Sequence, residues 1–132
     1  MNSSLEDTKY ILKKYNISAN KGLGQNFLID DEVINNIIVA SKVSKNDLII
    51  EIGPGLGTLT SKLLEKAGRV IAIEIDEKMI KILKDRFMLY DNFVLLNEDI
   101  LKVFSNFPKE YMQEVPIYSA VKINGNKLYE YA

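Results

Sequence analysis

Three acids stand at the ends of three apolar runs. Glu51 lies inside Leu48-Ile49-Ile50-Glu51-Ile52, Glu74 closes Val70-Ile71-Ala72-Ile73-Glu74, and Asp99 follows Phe93-Val94-Leu95-Leu96-Asn97-Glu98. Directly after the first run comes Gly53-Pro54-Gly55-Leu56-Gly57. A glycine-rich turn of this kind lets a ligand touch backbone, because no Cβ stands in the way. The helix that follows points its free N–H groups over the same turn. Glu74 comes about 20 residues later, where a ribose-binding acid belongs. The chemistry suggested is the holding of a nucleoside-type cofactor.

The glycine spacing narrows the choice. The dinucleotide fingerprint is G-x-G-x-x-G, with its last Gly one residue further on than Gly57. The form seen here, preceded by Glu51, resembles the first motif of S-adenosylmethionine-dependent methyltransferases, whose ligand has no pyrophosphate to cradle. A nicotinamide-dependent oxidoreductase is the alternative on the same fold. The spacing and the lack of a second mononucleotide-binding half argue against it.

The elements that position these residues follow from periodicity. Ser3 and Glu6 stand at capping-box spacing before a helix over 3–15, with Leu5, Ile11, Leu12 and Tyr15 on one face. A second helix over 31–41 carries an apolar stripe of Val33, Ile34, Ile37 and Ile38. Residues 48–52 read as a buried strand of a parallel sheet, because the run is apolar without alternation. A helix over 58–67 turns Leu59, Leu63 and Leu64 inward and stops at Gly68. Strand 70–74, a helix capped by Asp76 and bearing Met79, Ile80, Leu83, Phe87 and Tyr90, and strand 93–96 complete the pattern. Alternating strands and helices imply right-handed crossovers and a parallel α/β sheet. Ligands bind such sheets beyond the carboxyl ends of the strands, which is where the three acids fall.

Bulk properties remove several classes of function. The chain has 132 residues, 47% of them hydrophobic, and a formal charge of −1, so no global basic field draws nucleic acid. It contains no cysteine and no histidine, which removes disulfides, thiolate and zinc sites and His-based acid–base chemistry. No apolar run approaches the ~20 residues of a membrane span and the polar N-terminus lacks a signal-peptide core, so the expected location is the cytoplasm, without membrane or metal.

The string Lys21-Gly22-Leu23-Gly24-Gln25-Asn26-Phe27-Leu28-Ile29-Asp30 carries the most specific likeness. It resembles the K-x-x-G-Q-N-F-L-x-D signature of the KsgA-type ribosomal RNA adenine N6-dimethyltransferases. Glu51-Ile52-Gly53-Pro54-Gly55-Leu56-Gly57-Thr58-Leu59-Thr60 then follows at that family's spacing. The resemblance covers about residues 7–104 and implies a Rossmann-like methyltransferase fold, here cut to its first three parallel strands. It implies S-adenosylmethionine as cofactor and small-subunit ribosomal RNA, in the pre-30S particle, as partner. It further implies that Glu74 holds the ribose hydroxyls and Asp99 the adenine amino group. Gly53 would give close backbone contact, with Gly55 beside it, while Asn26 and Leu28 close over the ligand. Glu51 would order the methionine end through water.

The resemblance ends near residue 104. The family's fourth strand ends in Asn-Leu-Pro-Tyr, which binds the target adenine. Asn106-Phe107-Pro108-Lys109 lies only seven residues past Asp99 and has no stacking Tyr, so it reads as chance and no catalytic residue is identified. Residues 107–132, with Pro116-Ile117-Tyr118-Ser119-Ala120-Val121-Lys122 and Gly125, are similar to an internal segment of TruB-type tRNA pseudouridine synthases. Around Asn124-Gly125 the pattern predicts a hairpin or a turn into a short helix. The expected organisation is thus a cofactor-binding part over 1–104 and an unrelated tail over 105–132, as in a recombined, truncated, misassembled or engineered chain. Such a half-sheet leaves an open edge through which copies could associate. A different class of function is a non-catalytic RNA-binding or inert fragment, motivated by Lys9, Lys13, Lys14 and Lys21.

Overall fold

Local signals set most of the elements. Helix α1 (Ser4–Lys14) opens on the capping box: the Ser3 hydroxyl accepts from the Glu6 N–H and the Glu6 carboxylate accepts from the Ser3 N–H. Asp30 caps α2 (Asp31–Ser41) by accepting from the N–H groups of Glu32 and Val33. Then come β1 (Leu48–Ile52), α3 (Thr58–Lys66), β2 (Arg69–Glu74), α4 (Glu77–Phe87), β3 (Phe93–Asn97) and α5 (Ile100–Ser105). This computed structural model describes residues 3–18 and 26–106 in full, and 122–123 and 126–127 by backbone alone. The last two pairs are β4 (Lys122–Ile123) and β5 (Asn126–Lys127), which run antiparallel as the hairpin reading expects. The remaining tail expectations lie outside the described residues, as do Lys21 and Gln25.

The sheet is parallel, in the order β1-β2-β3. Its register sets Ile49 beside Val70 and Val70 beside Phe93, one row of a single face. Leu63 and Leu64 of α3, Met79, Ile82, Leu83 and Phe87 of α4 and Ile11 of α1 close over that face. Phe87 is the hub, edge-on to Phe93 with ring centroids 5.1 Å apart.

The opposite face corrects the sequence reading. Residues 48–52 were expected to be buried, yet Leu48, Ile50 and Ile52 are 54–57% exposed. β1 is an edge strand, and these three alternate residues point away from the helices. The α2 stripe is corrected likewise. Ile34 is buried and Ile38 half-buried, but Val33 and Ile37 are exposed because the helix meets the core along a narrow line. Tyr90 falls beyond the end of α4 and is exposed, though its ring still meets Phe87 edge-on.

Arg86 ties α1 to the glycine-rich turn. One guanidinium nitrogen donates to the Leu56 carbonyl at 2.7 Å and another to Asp7 at 2.7 Å. Because Leu56 is buried, Arg86→Ala would leave its carbonyl without that donor. The expected loss is about 1–3 kcal/mol. A urea titration should show a lower midpoint with an unchanged slope; an unmoved midpoint would mean water replaces the guanidinium.

Candidate functional site

Strand parity brings two of the acids to one face. Glu51 pairs in register with Ala72, and Glu74 lies two residues further along β2. Both therefore point to the helix-bearing side of the sheet. β3 ends at Asn97, and Asp99 follows two residues later as the cap of α5, accepting from the Leu101 N–H at 2.7 Å.

The turn between β1 and α3 is held at both ends. The Gly53 N–H donates to the Ile73 carbonyl at 2.9 Å, extending the ladder, and the Gly57 N–H donates to the Pro54 carbonyl at 2.9 Å. Gly53 has φ +65°, and a Cβ built there would meet no protein atom within 4 Å. Its side-chain-free surface faces open space, as a backbone contact to a ligand requires. Gly57 is glycine for another reason. At φ +82°, a Cβ would fall 2.5 Å from the Phe87 ring, so the turn packs directly on the core.

Glu74 is 7% exposed, and its carboxylate is netted by backbone. One oxygen accepts from Ile75 and Asp76 N–H at 2.9 and 3.0 Å, the other from the Gly55 N–H at 3.3 Å. The second oxygen keeps room for a further donor. Glu51 is half-buried. Burial pushes its carboxyl above the ordinary range, and a 2.7 Å hydrogen bond from the Thr60 hydroxyl works against that.

Three cavities form a row along this edge. A cavity of about 190 Å³ is lined by Asn26, Leu28, Glu51, Gly53 and Gly55 among others. It shares Ile52 and Gly53 with one of about 180 Å³ that adds Glu74 and Asp99. A wider hollow of about 520 Å³ continues past Asp99 to Asn97, Lys102 and Asn106. All seven residues named from the sequence therefore line one or other of two neighbouring cavities that meet at Gly53.

The sequence reading missed Thr60 and undervalued Phe27. Thr60 was legible as a hydroxyl among inward-facing leucines of α3; it is wholly buried. Phe27 was read as a core pin, and it rests against Gly55, 3.6 Å from that residue's Cβ position, as a wall of the first cavity. The helix α5 also went unread, although it lies in the short interval between Asp99 and Asn106.

Comparison with known proteins gives this groove a context. The model of the ribosomal RNA adenine dimethylase family matches residues 16–131. Ribosomal RNA small subunit methyltransferase A of Clostridium acetobutylicum is 51% identical over 100 residues, 76% of this chain and 36% of that protein. Among solved structures, a dimethyladenosine transferase from Plasmodium falciparum is 39% identical, with TM-score 0.51 over 53% of this chain and 27% of that one. The 23S rRNA methyltransferase ErmE is 33% identical, with TM-score 0.54 over 58% of this chain and 31% of its own. The chain spans 35–42% of the length of the curated relatives it matches. The family match runs past residue 104 to residue 131, across the stretch expected to be an unrelated tail.

Proposed function

The chain belongs to the ribosomal RNA adenine dimethylase family, and from that premise we propose that it is the cofactor-binding part of an S-adenosylmethionine-dependent enzyme dimethylating N6 of adenine in small-subunit ribosomal RNA. Residues 1–104 make up that part, and the pre-30S particle is the setting in which the RNA is met. The observation that carries this reading is the single cavity that Gly53, Glu74 and Asp99 line together.

The residues fit a nucleoside cofactor. Glu74 offers a buried carboxylate to a ribose diol, and the backbone N–H groups already on it hold it in place. Asp99 keeps an oxygen for an adenine amine while the other caps α5. Glu51 lies in the neighbouring cavity, suited to a methionine ammonium, with Asn26, Phe27 and Leu28 as its outer wall. The chemistry the cofactor supplies when bound is an electrophilic methyl group on sulfur. The part of these residues is to hold it in one orientation, from which a correctly placed amine can be alkylated.

Calorimetric titration with S-adenosylhomocysteine tests the reading. Saturable one-site binding is expected, with no displacement by NADH. An NADH fluorescence response that S-adenosylmethionine does not compete away would overturn it in favour of the nicotinamide alternative.

A further inference from the structure

The Thr60 hydroxyl is wholly buried behind the first cavity and lines none of the three cavities described. It sits on the third residue of α3, wholly buried, and donates to one oxygen of Glu51 at 2.7 Å. We propose that Thr60 is a positioning residue: by donating to one Glu51 oxygen it keeps that carboxylate ionised and aims the other oxygen at the ammonium group of the cofactor's methionine end. The inference rests on the cofactor reading above and adds to it a residue and a pH dependence.

Three observations support it. First, Glu51 lines the same cavity as Gly53 and Gly55, so its free oxygen has a ligand-facing position. Second, the strand places Glu51 against Ala72, which offers the carboxylate no donor. Third, burial raises the Glu51 pKa while the Thr60 hydrogen bond lowers it, so the hydroxyl favours the charged form that an ammonium needs.

Other charges near this corner are already engaged. Among the described residues, no other lining residue of that cavity is ionisable. On β2, Glu74 accepts from the Gly55 N–H, and Arg69 lies at the far end of the strand. On α3, Lys62 pairs with Glu65 at 3.8 Å, and Lys66 is in the last turn. Arg86 of α4 is held by Asp7 of α1 and the Leu56 carbonyl. Before α2, the Asp30 carboxylate accepts from Glu32 and Val33 N–H. Thr60 is therefore the donor that sets the state of Glu51.

The sign follows from the charge requirement. Affinity is full where Glu51 is ionised and falls as pH drops through its pKa in the free protein. Thr60→Val keeps the shape and removes the donor, so the pKa rises and the acid limb of binding moves to higher pH. Well below the limb, S-adenosylhomocysteine should bind about tenfold more weakly to the variant than to the wild type.

The experiment is calorimetry of S-adenosylhomocysteine against the full chain from about pH 5 to 8, for wild type, Thr60→Val, Thr60→Ser and Glu51→Gln. Circular dichroism checks that each remains folded. The expected result is an acid limb that moves up in Thr60→Val, returns in Thr60→Ser and flattens in Glu51→Gln. An acid limb in the same place for wild type and Thr60→Val would overturn the proposal, as would its absence in the wild type. Failure of wild-type binding at every pH would instead sink the cofactor reading itself. Should Thr60→Val unfold, the Thr60→Ser limb and the flattening in Glu51→Gln still decide: a Thr60→Ser limb displaced from wild type, or a Glu51→Gln limb that persists, overturns it.

Discussion

Methyl transfer from tritiated S-adenosylmethionine to small ribosomal subunits lacking adenine dimethylation is expected to be at least several-hundredfold slower with this chain alone than with a full-length relative. The described groove has residues for a cofactor, but none is identified that would present an adenine amine to it. Asn106 caps the end of α5, and the Asn106-Phe107-Pro108-Lys109 string carries Lys109 at the place of the Tyr that would stack on a flipped base. Correct orientation can account for ~7–11 kcal/mol of barrier lowering. Losing half of it slows transfer by roughly 400-fold or more. Incorporation near the rate of the longer enzyme would show that these 132 residues hold the amine by themselves.

The second large effect is expected at Glu74. Glu74→Ala removes the ribose partner and also frees the N–H groups of Gly55, Ile75 and Asp76. The glycine-rich turn loses its tether to β2, so binding suffers twice. S-adenosylhomocysteine affinity should fall at least tenfold, or ~1.4 kcal/mol. Glu74→Gln separates the two contributions, because an amide oxygen can still accept from Ile75 and Asp76 while the charge is lost. Indistinguishable titrations for wild type and Glu74→Ala would remove Glu74 from the site.

How much of this could be read from the chain depends on how local each signal is. Caps at Ser3 and Asp76, the three apolar runs and the glycine turn are short-range, and their elements appear within a residue or so of expectation. The seven candidate residues could be named for the same reason, since strand ends and glycines mark the edge where parallel sheets bind ligands. Burial was less legible. An apolar run such as 48–52 looks alike whether both faces are covered or one, and only the topology reveals that β1 is an edge. Thr60 escaped because a buried hydroxyl is defined by its partner, and Glu51 is nine residues away in sequence. The six-residue α5 is too short for periodicity to announce it.

The sheet order has a consequence for how such a protein is made. Each strand pairs with its immediate successor in sequence, so β1, β2 and β3 can zip together as they leave a ribosome, N-terminus first. The groove proposed for the methyl donor is then built from the first strands to emerge. Leu48, Ile50 and Ile52 stay uncovered at that stage, and they lie on the first strand, not the last. Later segments of a longer polypeptide would have to travel back past β3 to reach them. Assembly that starts at β1 would finish the proposed donor site early and leave the apolar residues at its back exposed meanwhile.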